Sequence, residues 1–502
     1  MTRQLPPGSH SASDELWAAV PPVGRDTSQD AVIVVPGIMG STLQDTVTGA
    51  RIWGLGVKSM ADTWLGPDGM LPLHLTPDEQ DGRFGRVRAT GLLERVGWAP
   101  FLQGFEPYTD LVRGVGEVVA HPKAVLAFAY DWRLPVGVNA ALLAEAARRH
   151  LSAWRAHPAH DRIRRLRADE RPAQLVFVAH SMGGLVTRAA LTHTPDLEPD
   201  TRAVITLGTP FHGAVKAAVI LNGHRGKGGR AARGPGALLR RRMQALATTL
   251  PGIHDLLPGF RCVDDSREVR RLTPSDIEAL GGDRELAARS QEFQQWMRLN
   301  GRSLPGHRAV VGVAQPTVQS MRLKEGVVHA QYVTFRTHSD GQLVRDAVGV
   351  PQRVDLAGDG TVYRDSGSLG GPAVTHLPLQ HGPMSRDSDV IRHVRNVITS
   401  PDEPLGPPMG ESQIGLDVPD AVEAGAGWNV RLTGTDTHAG VTCSVHDAET
   451  DRRIATPRFG WQDDTIGARV TLPAPGLYRL RVESGGNAPV TQLVLAAEPD
   501  DS

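Results

Sequence analysis

Short, wholly apolar runs alternate along this chain with longer segments whose apolar residues recur at every third or fourth position. The runs are Ala31–Val35 (AVIVV), Ala124–Tyr130 (AVLAFAY), Gln174–His180 (QLVFVAH), Arg202–Gly208 (RAVITLG) and His307–Ala314 (HRAVVGVA). Unbroken hydrophobicity, rather than alternation with polar residues, predicts strands covered on both faces. Asn139–Trp154 and Met182–His193 carry the helical period instead. Strand and helix in turn predict an α/β architecture, a mainly parallel sheet with helices on both sides.

The two ends read differently. Residues 1–30 are polar and rich in Pro, Gly and Ser, which predicts a flexible arm ahead of a core that begins at Ala31. After Leu405 a Gly/Pro/acidic linker leads into short alternating runs, among them WNVRLTG, GVTCSVHD, TIGARVTLP, GLYRLRVES and VTQLVLAA. These predict a small Ig-like β-sandwich over residues 411–498, with PAPGLYRL as its turn into a Tyr-bearing strand. Residues 31–405 are then a single catalytic-sized domain. Within it, 211–305 is too long for a plain connection and predicts a helical cap.

Composition narrows the function classes. The 502 residues are 40% hydrophobic and 22% charged, with a net charge of −1, so no whole-molecule field draws in nucleic acid. Cys262 and Cys443 fall in different predicted domains, which argues against a disulfide framework or a cysteine metal site. A Pro pair stands where a signal peptide would place its apolar core, and no run of about eighteen apolar residues occurs. The expectation is a cytoplasmic protein.

The chemistry starts at LVFVAHSMGGLV, where an apolar strand runs into a helix through Ala179-His180-Ser181-Met182-Gly183. This is a G-x-S-x-G nucleophile elbow with Ala in the first place. A strand that turns directly into a helix crowds the positions two before and two after the central Ser, so both must be small, as Ala179 and Gly183 are. The turn lifts the Ser181 hydroxyl to a helix N-terminus, where developing negative charge is favoured. His180, on the opposite strand face, is expected to pack or hydrogen-bond under the elbow rather than act as base.

Serine needs a neutral imidazole to take its proton, and the imidazole needs an anion to orient it. In chain order after Ser181, LAGDGTVYRDS offers Asp359 in a glycine-flanked turn, and THLPLQHGPM offers His376 and His381. His376 sits in an alternating strand pattern and His381 on a loop before the last helix, so His381 is the candidate base and Asp359 the candidate acid. His393, inside that helix, reads as a packing or surface residue. An oxyanion hole takes two N–H donors at about 3 Å. Met182 follows the nucleophile, and VVPGIMGSTL places Ile38 on the loop after the first strand, where Pro36 and Gly37 break the strand, Gly37 is a substrate-binding or supporting position, and Gly40 lets the backbone come close to a ligand. No metal or organic cofactor is needed for this chemistry.

Together VIVVPGIMGSTL, AYDWRLP, VAHSMGGLVTR, TLGTPFHGAVKA, LPGIHDLLPG, GDGTV and the late His381-Gly382 fall in the same order as in lecithin:cholesterol acyltransferase and its relatives, the lysosomal phospholipase A2 and the phospholipid:diacylglycerol acyltransferases. The chain resembles that family from about Val32 to Asn396. The resemblance implies an α/β-hydrolase fold, the triad Ser181, Asp359 and His381, oxyanion donors at Ile38 and Met182, and lipid or other acyl-ester substrates. Two cysteines leave no counterpart to the disulfide-pinned lid of the secreted animal enzymes, and the C-terminal sandwich lies outside the likeness.

Three features stay open at this level. Asp131, Trp132 and Arg133 end a predicted strand, and either shape the acyl pocket or support it structurally. Arg225, Lys227, Arg230, Arg233, Arg240, Arg241 and Arg242 lie in one stretch without an acidic residue. That stretch either docks on anionic membrane, at about 1 kcal/mol per basic residue, or is a solvated Gly/Arg loop. The sandwich is read as a site for a protein partner or as a stabilising module. Rival functions are an esterase acting on a non-lipid ester, lactone or thioester, and a non-catalytic binding protein on a hydrolase fold.

Overall fold

The structure, a computed structural model, describes residues 27–54, 69–99, 103–166, 171–222, 235–338, 341–370, 373–399, 414–462, 464–484 and 489–498. Most of the predicted N-terminal arm, the Gly/Arg stretch from Arg225 to Arg233 and the 405–413 linker lie outside these residues.

The apolar runs form one parallel sheet. Its strands are β1 (Ala31–Val35), β2 (Val125–Ala127), β3 (Leu175–His180), β4 (Thr201–Leu207), β5 (Arg308–Gly312) and β6 (Val374–Leu377), in the order β6-β5-β4-β3-β1-β2. Every neighbouring pair is parallel. β1 and β3 are buried along their whole length, as continuous hydrophobicity requires. Helices α1 (Val136–Arg155) and α2 (Met182–His193) pack on each other and on β1.

β2 is shorter than its apolar run. After Phe128, whose N–H still donates to the Val34 carbonyl at 2.9 Å, the chain turns to other partners: Ser41 Oγ accepts the Tyr130 N–H at 3.1 Å, and the Tyr130 hydroxyl donates to the Pro36 carbonyl at 2.8 Å. The segment thus braces the loop after β1. That loop continues into a small antiparallel sheet, Ser41–Asp45, Arg51–Trp53 and Val87–Leu92, which the hydrophobic pattern did not predict.

The insertion between β4 and β5 is mainly helical, with Val215–Leu221, Pro235–Ala247, Pro251–His254, Pro274–Ala279 and Arg284–Asn300. Two short strands in it, Val263–Asp264 and Val269–Arg270, join Ser320–Lys324 and Val327–Gln331 in a second sheet, so the cap draws on residues beyond β5. Cys262 and Cys443 are both free and buried.

Residues 414–498 form two facing sheets, one of four strands and one of five. The five-stranded sheet includes β7 (Gly476–Ser484) and β8 (Val490–Ala497), which pair antiparallel. Val430, Val470, Cys443, Leu480 and Val494 fill the space between the sheets. The Tyr478 hydroxyl donates to the Ala474 carbonyl at 2.9 Å, which pins the turn into β7. Leu477, Leu493 and Leu495 belong instead to the core of the parallel-sheet unit, so the sandwich docks on it through one sheet face.

Candidate active site

Ser181 follows β3 and caps α2 with φ 53° and ψ −127°, a strained positive-φ conformation that a direct strand-to-helix turn imposes. Its N–H donates to the Leu207 carbonyl at 2.8 Å. Small neighbours are obligatory here, since a Cβ on Gly183 would run into the Val35 and Pro36 carbonyls, and one on Gly184 into the Thr209 side chain. On the facing loop, a Cβ on Gly37 would stand 2.8 Å from the Ser181 Cβ and 3.4 Å from its hydroxyl.

Three side chains distant in sequence meet at this turn. His381 Nε2 lies 2.8 Å from Ser181 Oγ, and His381 Nδ1 lies 2.7 Å from Asp359 Oδ2. The other carboxylate oxygen, Oδ1, accepts the N–H groups of Thr361 and Val362 at 2.9 and 2.7 Å, which fixes the Asp359 rotamer. With an acceptor at Nδ1, the ring carries its proton there and leaves Nε2 free to accept from Ser181. Gly208, with φ 57°, lies where a Cβ would approach both Asp359 Oδ2 and His381 Nδ1 to 3.0 Å. A side chain at that position would push Asp359 and His381 apart.

Ile38 lines the pocket beside Ser181, and Met182, the next residue, begins α2. Neither N–H is taken by another described residue. Gly40 works differently from the expectation that it admits ligand. A Cβ there would meet Pro36 Cβ at 2.8 Å and Tyr108 Cε2 at 2.9 Å, so it is protein that approaches, closing a turn in which the Gly40 N–H donates to the Gly37 carbonyl at 3.0 Å.

A pocket opens on Ser181 and His381, with walls from Pro210, Ala217, Ile220, Ile253, Leu256 and Val362. Its lining is mainly aliphatic, and Ala214, Ala217, Ile220, Ile253 and Leu256 come from the insertion, so the cap helps shape what faces the serine. Among the described residues no group of three or more His, Cys, Asp or Glu side chains could hold a metal ion, and no helix is long and apolar enough to cross a membrane.

The PGAP1-like alpha/beta domain, an α/β-hydrolase family, matches residues 140–220, the stretch from α1 through the elbow into the insertion. The chain has an α/β-hydrolase fold. No curated protein matches it. Among solved structures, the Tle4–Tli4 complex is similar at 16% identity over 74% of this chain and 99% of that one, with a TM-score of 0.44. Bacillus licheniformis lipase BlEst2 in mature form is similar at 14% identity over 76% and 98%, with a TM-score of 0.30. The metagenomic carboxyl esterase MGS0156 is similar at 15% identity over 45% and 46%, with a TM-score of 0.18.

Around Ser181, His381 and Asp359 the chain carries further polar residues, among them Tyr108 and Lys216, which the sequence did not point to. Tyr108 accepts the Gly37 N–H at 2.9 Å on its hydroxyl, which lies 2.7 Å from His180 Nδ1. His180 Nε2 in turn lies 3.1 Å from the His381 carbonyl. The Tyr108 hydroxyl therefore donates to Nδ1, and a neutral His180 donates from Nε2. Burial, then the nearby His381, push the His180 pKa down to about 3. His180 thus hydrogen-bonds beside the elbow, as expected, although it also borders the pocket.

Lys216 lies in the same wall and donates to the Gly360 carbonyl at 3.1 Å and Thr361 Oγ1 at 3.4 Å. Burial lowers its pKa, partly offset by the charges of Asp420 and Asp359. Its hold on Gly360–Thr361 steadies the turn that presents Asp359.

Asp131, Trp132 and Arg133 lie behind the wall, not in it. Arg133 is fully buried, forks onto Asp131 at 3.0 and 2.7 Å, and reaches Glu79 Oε1 at 2.8 Å. Burial opposes ionisation of Glu79, but bonds from Arg133 and the Thr76 N–H outweigh it and lower its pKa. Trp132 packs edge-on to Trp53 and donates to the Ser41 carbonyl at 3.2 Å. The Arg133 carbonyl accepts the Gly252 N–H at 3.3 Å, beside the wall residue Ile253. The trio therefore supports the pocket without touching it. His376 is exposed on β6, and His393 is buried in the helix Ser388–Thr399.

Proposed function

We propose that this hydrolase cleaves or transfers lipid-like acyl esters through an acyl-enzyme on Ser181, as the lecithin:cholesterol acyltransferase-like enzymes it resembles do. The observation that carries this reading is the unbroken hydrogen-bond run from Asp359 through His381 to Ser181, ending at an aliphatic pocket.

In the first half-reaction Ser181 Oγ attacks the ester carbonyl carbon while His381 Nε2 takes its proton. The oxyanion that forms accepts hydrogen bonds from the Ile38 and Met182 N–H groups. Collapse breaks the bond to the alcohol oxygen, and His381 returns the proton to that leaving group. Asp359 stays ionised and stabilises the imidazolium between these transfers. In the second half, water or an acceptor alcohol attacks the acyl carbonyl and gives its proton to His381, which passes it back to Ser181. Water yields the free acid and an alcohol yields a new ester, so one site serves both outcomes. Aliphatic walls suit an acyl chain, which loses about 0.8 kcal/mol of burial per methylene removed.

The test is product analysis with a glycerolipid substrate, with and without a long-chain alcohol. Release of fatty acid, or formation of the new ester, by the natural protein and its absence with Ser181→Ala supports the reading. Turnover that survives Ser181→Ala, or none of any acyl ester by the natural protein, contradicts it.

A further inference from the structure

Among the described residues, three buried polar contacts join the sandwich to the parallel-sheet unit, and each lands beside a part of the site. Arg479 on β7 forks onto Glu106, with Nε 2.6 Å from Oε1 and Nη2 2.8 Å from Oε2. Both side chains are almost wholly buried, at 7% and 2% exposure. Glu106 stands two residues before Tyr108, whose hydroxyl holds the Gly37 N–H and His180. Ser385, on the turn after His381, donates to the carbonyls of Glu106 and Pro107, each at 3.3 Å.

The second contact is at the base. Gln380, the residue before His381, donates from Nε2 to Gln492 Oε1 on β8 at 2.7 Å, and both side chains are buried. The third is at the acid. Gln315, fully buried, donates from its side chain to the Ile414 carbonyl at 3.2 Å and accepts the Leu416 N–H at 3.2 Å. Its own N–H donates to the carbonyl of Gly358, the residue before Asp359, at 2.9 Å.

Simple docking needs none of this, because Leu477, Leu493 and Leu495 already supply an apolar contact. Buried polar groups are costly unless their partners are in place, and a forked Arg–carboxylate pair admits one relative orientation. From this we infer that the C-terminal sandwich is part of the catalytic scaffold, with Arg479 and Gln492 as positioning residues. Arg479 holds the Glu106–Tyr108 segment under the oxyanion loop, and Gln492 holds the loop after β6 that carries His381. This inference rests on the ester-hydrolase reading above.

The test uses the full chain and three variants: Arg479→Met, Gln492→Leu, and the double variant Glu106→Leu/Arg479→Leu, which removes both buried charges together; of their other partners, Asp451 is exposed and Arg386 keeps Asp110. Kinetics with a short soluble p-nitrophenyl ester are read beside thermal unfolding. Arg479→Met and Gln492→Leu are expected to lower kcat by about 10- to 100-fold with KM within about twofold, as small displacements of a reacting group do. The double variant is expected to unfold near the natural temperature yet keep the low kcat. Natural kcat in folded single variants, or recovery of kcat together with stability in the double variant, overturns the inference. So does failure of all three variants to fold, which makes the sandwich a folding requirement only. A natural protein without turnover refutes the ester-hydrolase reading instead, and that is seen before any variant is compared.

Discussion

The Tyr108 hydroxyl takes the Gly37 N–H at 2.9 Å and lies 2.7 Å from His180 Nδ1, so a single side chain ties the loop beside Ser181 to the strand that leads into it. Burial raises the Tyr108 pKa, which keeps the hydroxyl a donor at all ordinary pH. Tyr108→Phe leaves a buried N–H and a buried imidazole nitrogen without partners, a loss of about 1–3 kcal/mol. Denaturant unfolding is expected to report that loss, and kcat is expected to fall more than KM changes.

Gly37→Ala places a methyl group 2.8 Å from the Ser181 Cβ. Either the loop or the elbow must move by several tenths of an ångström, enough to disturb the proposed oxyanion hole, in which a single donor is worth about 10²–10³ in kcat. Steady-state kinetics are expected to show a loss of about that size, with near-natural unfolding behaviour.

Asp359→Asn keeps an oxygen for the Thr361 and Val362 N–H groups but turns an amide donor toward His381 Nδ1. The ring then takes the other tautomer, with its proton on the nitrogen that should accept from Ser181. A fall of about 10⁴ in kcat is expected, with little change in thermal stability.

Much of this was legible in the sequence, for local reasons. Ala31–Val35 and Leu175–His180 are buried strands because nothing polar interrupts them, and Ser181 stands on a strained turn because Ala179, Gly183 and Gly184 permit it. Tyr108 was not legible, since its partners lie 71 and 72 residues away and no local pattern distinguishes it from a core aromatic. The same holds for Glu106 and Arg479, which are 373 residues apart. Alternation in GLYRLRVES did mark one face of β7, but not that Leu477 and Arg479 on the other would meet the hydrolase. Trp132 and Arg133 were legible as a motif only, and their place behind the wall depends on Trp53 and Glu79.

The buried acid Asp255 predicts a pH effect on stability separate from catalysis. Burial raises its pKa to about 7, although its Oδ2 accepts the Val136 N–H at 2.8 Å, a bond that lowers it. Between the ordinary carboxylate range and about pH 7 the folded protein holds a proton that the unfolded chain has lost, so stability falls as pH rises through that window and levels off above it. Asp255→Asn does not titrate and keeps an acceptor for Val136. Its stability relative to the natural protein is expected to rise from pH 4 to pH 7 and then stay constant, as chemical denaturation at stepped pH would show. A difference independent of pH would contradict the assignment.

The most direct measurement is intact-mass analysis of the natural protein after reaction with a fluorophosphonate, followed by peptide mapping of the adduct. One phosphonyl group on Ser181, absent from Ser181→Ala and strongly slowed in Asp359→Asn, is the predicted result. An adduct on another serine, or no adduct on a folded natural protein, would contradict the account.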